Sequence, residues 1–297
     1  MDHKALIASL NETERAELTA TSNAAGLRHL AGHAGAIALL AAIIASGMPG
    51  WPLALVPLGI LVVFLFTLMH EASHRTAFRS EWLNDICARA AGFLLFLPPE
   101  WFRYFHFAHH RHTQDPARDP ELAAPKPETR WQYLKYVSGF PVWRGNLTTL
   151  LRNAWGSARD AYVPEKARRR IVSESRQMLA AYAVLLATSV LIHSTMLLWV
   201  WLIPALLGQP FLRLYLLAEH GRCPFVQNML ENSRTTFTNR LVRAIAWNMP
   251  YHAEHHAYPA VPFHKLPQFH ALAARHVKVT ERGYARFNAN YVAALKR

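Results

Sequence analysis

Between residues 29 and 69, and again between residues 177 and 212, the chain carries no Asp, Glu, Lys or Arg at all. Only 17% of its 297 residues are charged, against 52% apolar, which is too little charge for an ordinary soluble domain. Cysteine is almost missing. Cys87 and Cys223 stand alone and far apart, which excludes a disulfide framework and a CxxC zinc or redox site. The first 25 residues are polar with no apolar h-region, so no cleavable signal peptide is expected. There is no low-complexity linker, and no internal repeat beyond the two apolar stretches.

Those stretches hold 41 and 36 residues. A helix rising 1.5 Å per residue needs only about 20 residues to cross a hydrocarbon core roughly 30 Å thick. Each stretch is therefore about two crossings long, and each has a reversal near its middle, at Ser46-Gly47-Met48-Pro49-Gly50 and at His193-Ser194-Thr195. The pattern predicts an all-α integral membrane protein, residues 1–297 forming a single domain with four transmembrane helices in two hairpins. The spans are expected at 27–47, 51–70, 177–193 and 195–217, joined and followed by segments 71–176 and 218–297.

Acidic residues are few, 19 against 32 Lys and Arg, for a net charge of +13. Of the basic residues, 3 lie at or before residue 28, 17 between 75 and 176, and 12 from 213 onward; neither hairpin turn has one. By the positive-inside rule both termini and the central segment are cytoplasmic, with the chain in a membrane such as the bacterial inner membrane. The run Lys166-Ala167-Arg168-Arg169-Arg170 would sit against anionic headgroups of the membrane lipids. These charges flank the spans and no recognition motif accompanies them, so no nucleic-acid partner is expected. Residues 86–98 and 131–155, the latter rich in Trp and Tyr, read either as segments lying along the membrane interface or as ordinary packing against a cytoplasmic cap.

Histidine is abundant, with 17 residues, and nine of them are grouped: His70 and His74; His106, His109 and His110; His220; His252, His255 and His256. On a helix, positions three or four apart share a face, so each box delivers two or three imidazoles to one place. His70-Glu71-Ala72-Ser73-His74 also fits HExxH, in which Glu71 would be the base of a zinc metalloprotease. The longer HExxHxxGxxH pattern fails at Ala77 and Ser80, and neither charge-free stretch supplies a carboxylate as third ligand. Four pieces of chain bring nine imidazoles to one membrane face, more than a single zinc uses. Two metals account for that number, and imidazole suits iron, copper, zinc and nickel alike. Glu71 then reads as a carboxylate behind the ligands or as a helix-surface residue.

HEASH, HFAHH and HAEHH, the last followed by AYPAVPFHKLP, resemble the three histidine boxes of the membrane fatty acid desaturase family, a likeness running from about residue 60 to residue 270. The resemblance implies a di-iron centre in a cytoplasmic helical cap, with His70, His74, His106, His109, His110, His252, His255 and His256 as ligands. His220 matches the family's lone ligand between the fourth span and the third box. Leu216 departs from those members that carry an Asn four residues before it, and Glu219, Asn248 or Glu254 are the substitutes.

Other residues carry two readings each. His112 is a ligand or a hydrogen-bonding neighbour of the second box; Asp115 and Asp119 orient ligands or shape turns. His29, His33 and His193 read as packing or interfacial residues, and His264, His270 and His276 as surface or structural ones. Pro204, Gly208 and Pro210 line a tunnel or bend the fourth helix.

The resemblance further implies O2 as co-substrate, two irons cycling between Fe2+ and Fe3+, and a C=C bond placed in a lipid or acyl chain. Hydroxylation or ketolation of a lipid or terpenoid by the same centre is the alternative, and zinc proteolysis a remote one. The chain has no flavin, haem or iron–sulfur motif, so a separate electron donor, a ferredoxin or cytochrome b5-type protein with its reductase, is expected.

Overall fold

The structure is a computed structural model describing residues 1–296; Arg297, the last residue of the expected domain, lies outside them. Two short helices, α1 (His3–Ser9) and α2 (Glu12–Leu18), lead into α3 (Asn23–Ser46). The Ser22 hydroxyl caps the start of α3 by accepting from Ala25 N–H, and Gly47 ends it with φ +64°, a left-handed conformation that glycine adopts without strain. A 3-10 turn, Trp51–Ala54, reverses the chain into α4 (Leu55–Ser73), which is apolar on nearly every face. The expected spans at 27–47 and 51–70 fall on these two helices.

Past α4 come α5 (Glu81–Leu94) and α6 (Pro99–His112), the latter opening with proline in its first turn, where no amide hydrogen is needed. Phe102, His106 and His109 are buried at helical spacing along one side of α6. A 3-10 turn at Pro120–Ala123 leads to α7 (Arg130–Val137), α8 (Phe140–Ala154) and α9 (Glu165–Leu191). Trp131 on α7, Phe140 at the start of α8 and Trp155 just after its end are exposed, while Trp143 packs into the core.

The second hairpin turns at His193, with φ +50°, and returns through a π-helical turn, Leu198–Leu202, into α10 (Ile203–His220). Among the described residues, three helical stretches are long and apolar enough to cross a membrane: those ending at Ser46, at Ser73 and at His220. The expected span at 177–193 falls on the end of α9. Its uncharged part, 177–191, extends only about 22 Å at 1.5 Å per residue, yet it turns Val184, Leu186, Val190 and Leu191 outward with no protein to cover them.

α4 and α10 touch backbone to backbone. A Cβ added at Gly59 would lie 1.9 Å from Pro204 O, and one at Gly208 would lie 2.1 Å from Gly59 C. Small residues permit this approach, as in many helix pairs within bilayers. Pro204 and Gly208 thus serve helix contact rather than a tunnel wall. The contact also fixes where His70 and His220, at the ends of the two helices, emerge.

The C-terminal region holds α11 (Met229–Asn232), β1 (Thr235–Phe237), α12 (Arg240–Ile245), α13 (His252–Ala257), α14 (Leu266–Ala273), β2 (Thr280–Arg282) and α15 (Tyr284–Ala293). β1 and β2 pair in parallel, Thr235 opposite Thr280, a small departure from the all-α expectation. Trp247, fully buried, donates its indole N–H to His33 Nδ1 at 3.2 Å, tying the chain just before α13 to α3. His33 is therefore a packing residue, as read from the sequence.

Candidate metal centre

The nine boxed histidines meet at one place. His70 lies in the last turn of α4 and His74 caps its end; His106, His109 and His110 share a face of α6; His220 ends α10; His252, His255 and His256 lie on α13. The ring nitrogens of His70, His74, His106, His110 and His255 all fall within 4.8 Å of one another, as do those of His109, His220 and His256. His252 joins the second group through Nε2, 2.9 Å from His220 Nε2. Across the first group, His70 Nε2 lies 2.6 Å from His255 Nε2, and His74 Nε2 lies 2.7 Å from His106 Nε2. Two ligands about 2.1 Å from one cation are roughly 3 Å apart, so these separations are of the size a shared metal produces.

The second group can be read proton by proton. Thr113 donates its hydroxyl to His109 O at 2.7 Å, so it accepts from His256 Nδ1–H at 3.1 Å. His220 Nδ1–H donates to Asn232 O at 3.2 Å, and His109 Nδ1–H to Asp119 Oδ1 at 2.9 Å. In the neutral rings each proton is thereby placed on Nδ1, and each Nε2 turns a bare lone pair inward. His109 Nε2 and His220 Nε2 face each other this way at 3.2 Å. Lone pairs so opposed repel unless a cation lies between them, and a hydrogen-bonding partner behind each ring is the usual support of a metal ligand.

Orphaned atoms point the same way. Among the described residues, both ring nitrogens of His110, Nε2 of His256 and Nδ1 of His252 and of His255 are buried without a hydrogen-bond partner. Each such group costs roughly 1–3 kcal/mol if left unsatisfied. Burial, with the neighbouring imidazoles, holds His106, His110, His252, His255 and His256 well below the ordinary histidine range, and it takes His74 down to about 3. Neutral imidazole is the form that binds metal. His109 departs from the rest: burial opposes its charge, but Glu121 and Asp119 raise its affinity for a proton. A metal cation would compete for the same position.

Two carboxylates stand at the rim. Glu121 Oε2 is 3.2 Å from His109 Nε2, and Lys126 pairs with the other oxygen of the same carboxylate. Glu219 Oε1 is 3.3 Å from His252 Nδ1. Glu219 was among the substitutes for the missing Asn; Glu121 was not foreseen, although its place two residues after Asp119 was a usable signal. The other substitutes are spent elsewhere: Glu254 binds Thr235 Oγ1 at 2.6 Å and pairs with His270, and Asn248 donates to Phe263 O. His270 is thus structural. Asp119 orients a ring, whereas Asp115 shapes a turn by accepting from Ala117 N–H and pairing with Arg118. His112, His29, His193, His264 and His276 stay outside both groups.

Glu71 is fully buried, which overturns its reading as a helix-surface residue. One oxygen accepts from Phe263 N–H at 2.8 Å, tying α4 to the segment after the third box.

A cavity of about 430 Å³ opens against the histidines. Phe66, Trp101, Phe102 and Phe105 form its aromatic wall, and His70, His106, His109 and His252 face it from the metal side. Leu216, where some desaturases carry the Asn, lines it as well.

Residues 47–288 match the fatty acid desaturase family, a stretch that contains every boxed histidine. The chain is also 27% identical over 261 residues to dihydrorhizobitoxine desaturase of Bradyrhizobium elkanii, the match covering 81% of this chain and 71% of that one.

Proposed function

Since the chain belongs to the fatty acid desaturase family, we propose that it is an O2-dependent di-iron desaturase that introduces a C=C bond into an unactivated alkyl chain of a lipid or acyl substrate. The observation that carries this reading is the set of inward lone pairs on His109, His220 and His256, beside a five-imidazole group one ring away. In this reading one iron is held by His70, His74, His106, His110 and His255, and the other by His109, His220, His252 and His256 with Glu121 at hand. When bound, the iron pair supplies O2-driven oxidation of an unactivated C–H bond, which amino-acid side chains cannot perform.

The chain's own residues supply placement. Asp119, Thr113 and the Asn232 carbonyl hold three rings in the tautomer a ligand needs. The aromatic wall of the cavity keeps water from the reacting carbons and confines an alkyl chain against the histidine face. Two electrons and two protons enter with each O2, and the products are the alkene and two waters. The electrons come from a separate donor, a ferredoxin or cytochrome b5-type protein with its reductase, steered by the basic surface of the 71–176 and 218–297 segments.

The distribution of Lys and Arg supports four spans with both termini and the iron site cytoplasmic, in the bacterial inner membrane. The fourth crossing, by the end of α9, is short and would use local thinning of the bilayer.

Desaturation is preferred over hydroxylation because the relative carries that reaction in its name. The test supplies 18O2, a reductant and an electron donor to iron-loaded protein. An alkene two mass units lighter than the substrate and free of label is expected. A product retaining one 18O, without alkene, would assign oxygen insertion instead.

A further inference from the structure

The cavity also holds a positive charge that, among the described residues, no carboxylate pairs with directly. Arg213 lies on α10, directly after the charge-free stretch 177–212 and two turns before His220. It lines the same cavity as the histidines, as do Tyr136, Asn146 and Glu219. Among the described residues its guanidinium has no carboxylate within ion-pairing distance and makes no hydrogen bond. Its Nε is buried without a partner, the Tyr136 ring lies 5.8 Å from Cζ to centroid, and the Glu219 carboxylate, which shares the cavity, acts on it only from beyond ion-pairing distance and rests against His252. Lys126, the other cation of the cavity, is different, because Glu121 already neutralises it.

A guanidinium on a spanning helix is retained only where an anion or a water-filled space offsets its desolvation. Arg213 turns it into a largely apolar cavity, and that selects for an anion brought by the occupant. The planar fork of donors matches the two oxygens of a carboxylate. We infer that the cavity binds an amphiphile bearing a free carboxylate, its head group on Arg213 and its alkyl portion along Phe66, Phe102 and Phe105 toward the histidines. This rests on the reading of the cavity as the substrate site.

Two consequences follow from the geometry. A carboxylate on Arg213 is unesterified, so the substrate is a free acid rather than an acyl group joined to a carrier or glycerol. Seven residues of helix separate Arg213 from His220, about 10 Å along the axis, so the oxidised carbons lie several bonds from the head rather than next to it. The cavity volume, near the lower end of the usual 300–1,000 Å³ range for ligand sites, suits a compact substrate.

The experiment uses iron-loaded, full-length protein in phosphatidylcholine nanodiscs and measures binding of tetradecanoic acid and of its methyl ester by quenching of tryptophan fluorescence. The acid should bind at least about tenfold more tightly than the ester; Arg213→Gln should remove that difference and Arg213→Lys restore part of it. Iron content equal to wild type shows that the variants are folded. Equal affinity for acid and ester, or acid binding unchanged in Arg213→Gln, overturns the inference. So does acid binding that phosphatidylglycerol nanodiscs suppress in wild type but not in Arg213→Gln, since that assigns Arg213 to a lipid phosphate. With O2 and reductant added, Arg213-dependent acid binding without any oxidised product sinks the desaturase reading and leaves the head-group assignment standing. Alkene formed equally well from the ester and by Arg213→Gln does the reverse.

Discussion

His110 and His256 lie face to face, their rings 4.0 Å apart between centroids and 3° from parallel. His110 belongs to the five-imidazole group and His256 to the other, so this stacked pair is where the two candidate metal positions adjoin. In the proposed di-iron site, loss of either ring would open one coordination sphere and remove a wall of the next. Elemental analysis should find close to two irons per chain in the wild type. His110→Ala and His256→Ala should each fall to about one or fewer with turnover lost, whereas His193→Ala, in an exposed turn, should keep both irons. Asp119→Asn replaces the carboxylate that holds His109 and should lower iron affinity by about 10- to 100-fold. Unchanged iron content in His110→Ala would remove that residue from the ligand set.

Gly59 and Gly208 hold α4 and α10 in backbone contact. Gly208→Ala would place its methyl carbon 2.1 Å from Gly59 C, which only a separation of the helices can relieve. Overpacking of this kind costs about 1–3 kcal/mol or more, and it displaces the helix ends that carry His70 and His220. The variant should melt at lower temperature in detergent and bind less iron. Gly145→Ala, on α8 with open space around it, should do neither.

Glu174 is set into α9 before its apolar part, and burial pushes its carboxyl up to about 7. Its Oε2 accepts from Glu100 N–H at 2.8 Å, while Arg89 offers only a 3.8 Å contact. With the folded-state value above the unfolded one of 4.5, the folded protein binds the proton more tightly. That contribution is fully present below pH 4.5 and is lost as pH rises through 7. Glu174→Gln keeps the acceptor and removes the charge. It should therefore be more stable than wild type at pH 8 by about 1–3 kcal/mol, a difference that vanishes near pH 4.5. Thermal melts of both proteins across that range give the comparison, and an equal gap at every pH would contradict the assignment.

Cys87 and Cys223 are poor topological reporters, because both are buried and burial pushes each thiol up to about 11. Exposed positions serve better. In a background with both cysteines replaced by alanine, Met48→Cys and Thr195→Cys should react with a membrane-impermeant maleimide added to intact cells. Trp155→Cys should react only after permeabilisation. Labelling of Trp155→Cys from outside would invert the proposed orientation.

Much of this molecule could be read along the chain because the relevant signals are local. Charge-free length sets how far a helix reaches, and the i, i+3 and i+4 spacing of His106, His109 and His110, or of His252, His255 and His256, sets which rings share a face. Composition and spacing thus determined that the protein is helical, apolar enough for a membrane, and equipped with imidazoles in numbers that point to two metals. Which rings group together was decided only by tertiary packing, since His255 meets His70 across 185 residues and His220 meets His109 across 111. The same holds for Glu121, whose carboxylate reaches His109 through a capped turn, and for Glu71, whose burial depends on the segment around Phe263. Gly208 read as part of a tunnel wall or of a helix bend until Gly59 was placed against it. Arg213 looked like one more cytoplasmic charge until its guanidinium was seen in the cavity wall without an ion-pairing partner. A sequence specifies each residue's chemistry and its local periodicity; the partner that satisfies or fails to satisfy that chemistry lies far along the chain, and only folding brings it near.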